Sequence, residues 1–318
     1  MANLTVAVLG APGYAAGLGK RGTASDLIFY NLKRGEHTLT FVEPTRYPER
    51  VAPLFFAVSM ADAALLIVDE VNAGLGETIL MLDAMGITDG DIIMRNYVEP
   101  ARIGACVKGT VLDQYRFSAN DPVLLREHYF KTVERVAAPL DPGRGTVVVD
   151  HAFHVKGIGP VVLGRVCRGE VHRHDQLTLL PGGEMVQVRS IQRHDDDTEC
   201  AQAGDRVGIA LKNVAAEALE RGCVLTQDPD VRVTQRVEGE VSLNRYWKIP
   251  ILTGMVVHLG HWMQVVPARI QAVEGEDPRR PRIRLELEKE LVYLPQDRVI
   301  VHYLEGELLR VAGVLRPD

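Results

Sequence analysis

The residues of this sequence best grouped for chemistry are Gly10, Gly13, Gly17, Gly19 and Lys20, a glycine-rich loop ending in a lysine just after a short apolar run. Such a loop can turn its backbone N–H groups onto an anion. The lysine then reaches the outer oxygens of a polyphosphate, and a following Ser or Thr ligates magnesium. The working spacing is Gly, four residues, Gly-Lys, then Ser or Thr. Here eight residues separate Gly10 from Gly19-Lys20, and Arg21 stands where the hydroxyl belongs. Thr23 can replace that hydroxyl only if the loop is reshaped. Two readings stay open. Either Gly10, Gly13, Gly19, Lys20 and Thr23 still hold an anion at a helix start, or this is a plain surface loop. The altered spacing weighs toward the surface loop.

Other polar groupings carry less. His172 and His174 alternate beside Asp175 and could share a strand face. Two histidines and an acid suit zinc, but a polar turn is the simpler reading, so no metal is expected. His258 and His261 flank Leu259-Gly260 and are read as ending a strand. Asp195, Asp196 and Asp197 suit a solvated hairpin tip, since a calcium loop needs further spaced ligands. On a chain whose net charge is −6, any nucleic-acid contact must use local patches such as Arg279, Arg280, Arg282 and Arg284, which a solvated loop and edge strand explain as simply. Exposed charge of that kind is ordinary. No catalytic set with recognisable spacing emerges.

Composition bounds the rest. The chain has 318 residues, 46% hydrophobic and 25% charged, enough for two or three packed domains. Cys106, Cys167, Cys200 and Cys223 lie far apart with no C-x-x-C pair, which argues against zinc and against a disulfide framework, and suits a reducing cytoplasm. Met1 to Gly10 does not have the form of a signal peptide. The most apolar window, 51–68, is broken by Ser59 and Asp62 and is not expected to span a membrane.

Periodicity then places the motifs. Leu4 to Leu9 reads as a buried strand. Thr23 with Asp26 three residues on predicts a helix start, continued by Leu27, Ile28, Tyr30 and Asn31 and stopped near Gly35. Further strands are expected at 38–42, 63–68, 91–94 and 111–117. Helices are expected at 50–60, 77–85 and 121–136, the last with Pro122 in its first turn. Alternating strands and helices imply a parallel sheet. After the turn-rich Asp141-Pro142-Gly143-Arg144-Gly145 the period becomes two, with short strands at 146–149, 161–166, 176–180, 185–191 and 206–211, and a second such series runs from Val231 to Val314. The expected division is 1–140, 141–228 and 229–318.

Three ordered motifs carry a family resemblance. Asp150-His151-Ala152-Phe153-His154-Val155-Lys156-Gly157-Ile158-Gly159-Pro160-Val161-Val162-Leu163-Gly164-Arg165-Val166 resembles the opening of domain 2 in elongation factor Tu relatives, and most of all the form in the selenocysteine-specific factor. Ala203 to Lys212 and Leu219 to Leu225 continue that domain in order. Segments at 248–251, 257–260, 284–288 and 308–313 are similar to domain 3. The resemblance covers nearly the whole chain and stops short of the selenocysteine factor's fourth domain. It implies a fold of α/β plus all-β class: a degenerate P-loop-GTPase-like parallel-sheet domain followed by two β-barrels.

The resemblance also implies a damaged switch. The family's D-x-P-G-H segment falls at Glu43-Pro44-Thr45-Arg46-Tyr47, with Arg46 for the γ-phosphate-sensing glycine and Tyr47 for the histidine that positions water. The guanine motif falls at Asn96-Tyr97-Val98-Glu99, and Ser118-Ala119 would keep the last base-contacting loop. Between the expected first helix and Leu39 there is no room for the segment carrying the magnesium threonine. Hydrolysis needs these parts together, so a pseudo-GTPase, not an enzyme, is expected. The combination resembles selenocysteine-factor-like proteins of methanogenic archaea. What it implies as partner is tRNA or its aminoacylated end, with Asp150, His151 and Arg206 as candidates for the aminoacyl pocket. The alternatives are a slow GTPase that takes GTP and magnesium, or a scaffold bound to the ribosome or another protein.

Overall fold

A computed structural model describes residues 3–134, 144–194, 196–295, 297–305 and 309–318. The linker residues Asp141 to Gly143, the end of the expected helix beyond Glu134, Asp195 and Leu308 lie outside the described residues.

The N-terminal unit runs β1 (Asn3–Leu9), β2 (Lys20–Ala24), β3 (Leu27–Arg34), β4 (His37–Pro44), α1 (Ala52–Ser59), β5 (Ala63–Val68), α2 (Ala73–Met85), β6 (Gly90–Met94), α3 (Pro100–Val107), β7 (Arg116–Phe117) and α4 (Pro122–Val133). Its sheet has the order β2-β3-β4-β1-β5-β6-β7. β4, β1, β5, β6 and β7 are parallel, while β2 and β3 run as antiparallel hairpins off β4. The central strands β1 and β5 are apolar along nearly their whole length, as strands covered on both faces must be.

The helix expected after the glycine loop is a strand. Leu27–Arg34 pairs residue for residue with β4, from Leu27 opposite Pro44 to Arg34 opposite His37. Gly35, at a φ of 58°, turns the hairpin. The run Leu-Ile-Phe-Tyr is apolar, and its β-branched and aromatic members fit a pleated surface. The Thr23/Asp26 spacing therefore marks a hairpin rather than a helix cap. Residues 111–117 also differ from the expected strand: a 3-10 turn, Val111–Gln114, precedes the two-residue β7. The helix α3 had no counterpart in the sequence reading. Pro100 at its first position and the burial of Ile103 and Val107 explain it afterwards.

The two sheet faces are covered unequally. α1, α2 and α3 pack on one face, and α4 covers the other together with Ala15 and Leu18 from the glycine loop. The core under α1 and α2 does not stop at the domain edge. It continues through Val148, Val224, Met263, Val292, Ile300 and Val311 of the C-terminal units.

The second unit contains β8 (Thr146–Val155), β9 (Gly159–Arg168), β10 (Glu170–His172), β11 (Gln176–Leu180), β12 (Glu184–Arg193), β13 (Asp196–Thr198), β14 (Cys200–Gln202), β15 (Arg206–Lys212) and β16 (Val224–Thr226). The ring β11-β16-β8-β9-β15-β12 closes through pairing of β12 with β11. The third contains β17 (Arg232–Leu243), β18 (Val256–His261), β19 (Gln264–Glu274), β20 (Arg282–Tyr293), β21 (Val299–His302) and β22 (Val311–Pro317), closed as β17-β20-β19-β18-β21-β22. Each barrel has its own apolar interior. β20 shows why: its first six residues alternate outward charge with inward Ile283, Leu285 and Leu287. No helix among the described residues is long and apolar enough to cross a membrane.

Candidate functional site

The glycine loop sits at the carboxyl end of β1, where open α/β sheets place ligands. Gly10 has a φ of 95°, and a Cβ there would lie 2.0 Å from the Ile67 carbonyl oxygen, so only glycine fits this crossing. Gly13 is also left-handed, at 84°. Its N–H does not point at open space but donates to Oε1 of Glu43, at 2.5 Å. Glu43 ends β4 as a buried carboxylate, 3% exposed. Burial pushes its pKa up, and the loop N–H groups of Gly13 and Tyr14 oppose that shift. The protein's own carboxylate thus occupies donors that a phosphate would need.

The sequence candidates do not stay together. Gly10 and Gly13 line this end of the sheet, but Gly19, Lys20 and Thr23 lie in and beside β2. Lys20 is opposite Asn31, Asn31 opposite Thr40, and Thr40 opposite Thr5. The exposed lysine is therefore three inter-strand spacings, about 14 Å, from β1, and about 16 Å short of Gly10 along the strand direction. It cannot reach an anion held at Gly10. The absence of a helix after the loop also removes the dipole end that would favour one.

The positions expected from the resemblance to carry the switch and guanine motifs are placed as follows. Arg46 is exposed in a left-handed turn, with a φ of 58°. The Tyr47 hydroxyl donates to the Gly74 carbonyl at 2.7 Å, tying the segment to α2. Asn96 and Tyr97 are both left-handed, and Tyr97 is fully exposed. The Ser118 hydroxyl donates to buried Asp91 at 2.6 Å. Tyr14 reaches from the loop to Oδ1 of Asn120 at 2.8 Å, and Arg95, paired with Asp69, stands over its ring. These contacts engage side chains around the cleft with one another, while a cavity of about 330 Å³ remains beside Gly10, Glu43 and Asp69.

The structure brings Asp150, His151 and Arg206 into one cluster. Arg206 grips both oxygens of Asp150, which is fully buried on β8. His151 Nδ1 meets Asp150 Oδ1 at 2.5 Å, and its Nε2 meets Ser25 Oγ at 2.9 Å. Burial works against the Asp150 charge, but Arg206 and His151 outweigh it and hold the pKa below the usual carboxylate range. The Arg206 guanidinium also lies 3.7 Å from the Phe29 ring centre. Arg221, which the sequence reading missed, donates through Nε to the Asp150 carbonyl and through both terminal nitrogens to Asp26 at 2.6 Å. Ser25 and Asp26 form the turn between β2 and β3, so the hairpin that replaces the expected helix covers this cluster.

The weaker candidates resolve simply. His172 ends β10 while His174 is a turn residue at a φ of 75°, so the two do not share a strand face. No group of three or more His, Cys, Asp or Glu among the described residues is placed to hold a metal ion. His258 and His261 both lie within β18, and His261 bridges the Val292 carbonyl and Asp297. Asp196 and Asp197 belong to β13, and Asp196 pairs with Lys33 of the first unit. Arg282 and Arg284 share Glu238, and Arg279 donates to the carbonyls of Asn244 and Trp247. Much of the basic run is therefore spent within the chain.

The class this architecture defines is that of a parallel-sheet domain followed by two closed β-barrels. Residues 159–226 match the model of elongation factor Tu domain 2. An uncharacterized protein of Methanocaldococcus jannaschii is 33% identical over 99% of both chains. The selenocysteine-specific elongation factor of the same organism is 30% identical over 79% of this chain. This chain spans 58% of that factor's length. The elongation factor SelB of Methanococcus maripaludis, in complex with the GTP analogue GppNHp, superposes with a TM-score of 0.86 at 22% identity, covering 100% of this chain and 79% of that one. The chain is homologous to the selenocysteine-specific elongation factor and to the elongation factor Tu/1-alpha family.

Proposed function

We propose that this protein is a translation-factor relative that works in the cytoplasm without a guanine-nucleotide cycle and engages tRNA, at or near its aminoacylated end, through its two barrels. The observation that carries the first half is the Glu43 carboxylate seated on the Gly13 N–H. Asp69 and Glu70 line the same cavity, so an incoming polyphosphate would meet negative charge where it needs donors. Lys20 is out of reach, which weighs against the alternative of a slow GTPase using GTP and magnesium. The barrel architecture and the family relationship support the second half.

A second reading, a scaffold held by the ribosome or another protein, is favoured by one observation. Asp150, His151 and Arg206 satisfy one another beneath the β2–β3 turn, leaving little of them free for an aminoacyl group. Two measurements separate the readings. Calorimetry with GTP and magnesium should give no isotherm at micromolar concentrations; a clean magnesium-dependent isotherm would sink the nucleotide-free reading. Filter binding of aminoacyl-tRNA should show affinity that falls steeply with salt, as phosphate contacts require. Salt-independent or absent binding would favour the scaffold.

A further inference from the structure

The β2–β3 hairpin sets its turn, Ser25 and Asp26, against the second barrel. Both oxygens of Asp26 accept from the terminal nitrogens of Arg221 at 2.6 Å. The Ser25 hydroxyl meets His151 at 2.9 Å and Arg221 at 3.4 Å. Burial works against the Asp26 charge, but Arg221 outweighs it and holds the carboxyl below its usual range. A planar guanidinium takes a carboxylate or a phosphate through the same two parallel hydrogen bonds. Asp26 therefore does for Arg221 what an anionic ligand would do. The pair is also placed to exchange. The side chains of Arg221 and Asp26 are 23% and 25% exposed, whereas those of Arg206 and Asp150 beneath are 10% and 0% exposed. Opening a partly solvated ion pair costs little, while breaking a buried one is expensive. A register shift between Arg21 and Ala24 interrupts the β2–β3 ladder just before the turn, and β2 is an edge strand. The strand leading into the turn thus hangs on an interrupted, one-sided ladder.

We infer that the turn of Ser25 and Asp26 is an autoinhibitory plug, which holds Arg221 and His151 of the second barrel until an anionic group of an RNA takes its place. The inference rests on the reading that this barrel engages tRNA. Under it, the satisfied state of the cluster is a resting state: Asp150 and Arg206 stay paired beneath, and only the outer contacts exchange. RNA binds the fraction of molecules whose turn is lifted, so the observed affinity is lower than the intrinsic one by that fraction. The two ends of the Asp26–Arg221 pair then have opposite effects. Asp26 competes with RNA, and Arg221 receives it.

The test is filter binding of aminoacyl-tRNA to the intact protein and to Asp26→Asn, Arg221→Gln and Glu36→Gln. Glu36 is exposed at the opposite end of β3, so its variant removes one negative charge without touching Arg221. Asp26→Asn should bind at least about fivefold more tightly than the native protein, and Arg221→Gln at least about fivefold more weakly. Glu36→Gln should stay within about twofold of native. A purely structural ion pair would move both of its ends in the same direction. If Asp26→Asn fails to fold, Ser25→Ala, which frees His151 alone, should give a smaller gain of the same sign. A gain matched by Glu36→Gln, a loss in Asp26→Asn, or native binding by Arg221→Gln would overturn the plug. Equal binding by Asp26→Asn and the native protein would overturn it while leaving the tRNA reading standing. No binding by any of these proteins would overturn both.

Discussion

Arg310, just before β22, closes on Glu77 of α2 with three hydrogen bonds: its backbone N–H and Nε to Oε1, at 2.7 and 3.0 Å, and a terminal nitrogen to Oε2 at 2.6 Å. The same guanidinium donates to the Pro48 carbonyl at 2.9 Å. Both side chains are buried between the sheet domain and the last barrel. Together with the apolar core that continues from α1 into both barrels, this pair makes the three units one packed body.

Removing one partner of such a pair leaves an uncompensated buried charge, which costs about 3–5 kcal/mol. Arg310→Met should therefore lower the urea-unfolding free energy by roughly that amount. A loss under about 1 kcal/mol would mean that the pair is dispensable and that the domain contact rests on apolar packing alone.

His302 gives the protein an acid-sensitive point. It is buried against Phe55 with neither ring nitrogen hydrogen-bonded among the described residues, and burial pushes its pKa down to about 3. An unfolded histidine titrates near 6.5 (about that value in model peptides). The unfolded chain thus binds this proton first, and the stability present above that pH is lost as pH falls toward 3. The cost should approach roughly 1.4 kcal/mol per pH unit within that window. His302→Leu should flatten the slope of unfolding free energy between pH 6 and pH 4, about one proton's worth. An unchanged slope would show that the folded protein accommodates the charged ring.

Lys20→Ala should be nearly silent. The side chain is exposed on an edge strand far from Gly10, so stability should move by less than about 0.5 kcal/mol. Any nucleotide response of the protein should be unaffected as well. If turnover of GTP is detectable and disappears in this variant, Lys20 must reach the site in some other arrangement and the enzyme reading returns.

Asp26→Ala should loosen the cover over the Asp150 cluster. Arg221 loses its bidentate partner, and the turn is then tied to the cluster through Ser25, which meets His151 and, at 3.4 Å, Arg221. Amide exchange at Ser25 and Leu27 should accelerate. If the cluster beneath is an aminoacyl pocket, the preference for aminoacylated over deacylated tRNA should rise. Faster exchange with no change in that preference would leave the cluster a structural ion network.

Much of this was legible in the chain itself. Strands buried on both faces write continuous apolar runs, so Leu4 to Leu9 and Ala63 to Val68 could be placed without coordinates. Barrel strands with one wet face write a period of two, and the motifs from Asp150 to Leu225 carried the family. The spacing from Gly10 to Lys20 already excluded an ordinary phosphate loop. What failed was local: Leu27 to Arg34 has side chains that suit either a helix or a strand, and a spacing at Thr23 that mimics a cap. Pairing with β4 decided between them, and pairing is a contact between distant backbone groups that no window of sequence contains. The same holds for chemistry. The sequence supplied Glu43, Asp150, His151 and Arg206 as charges; only the tertiary structure decided that Glu43 meets the loop's N–H and that Ser25 lies over the other three. Burial strips these groups of water, and a group stripped of water must take whichever partner the fold brings to it.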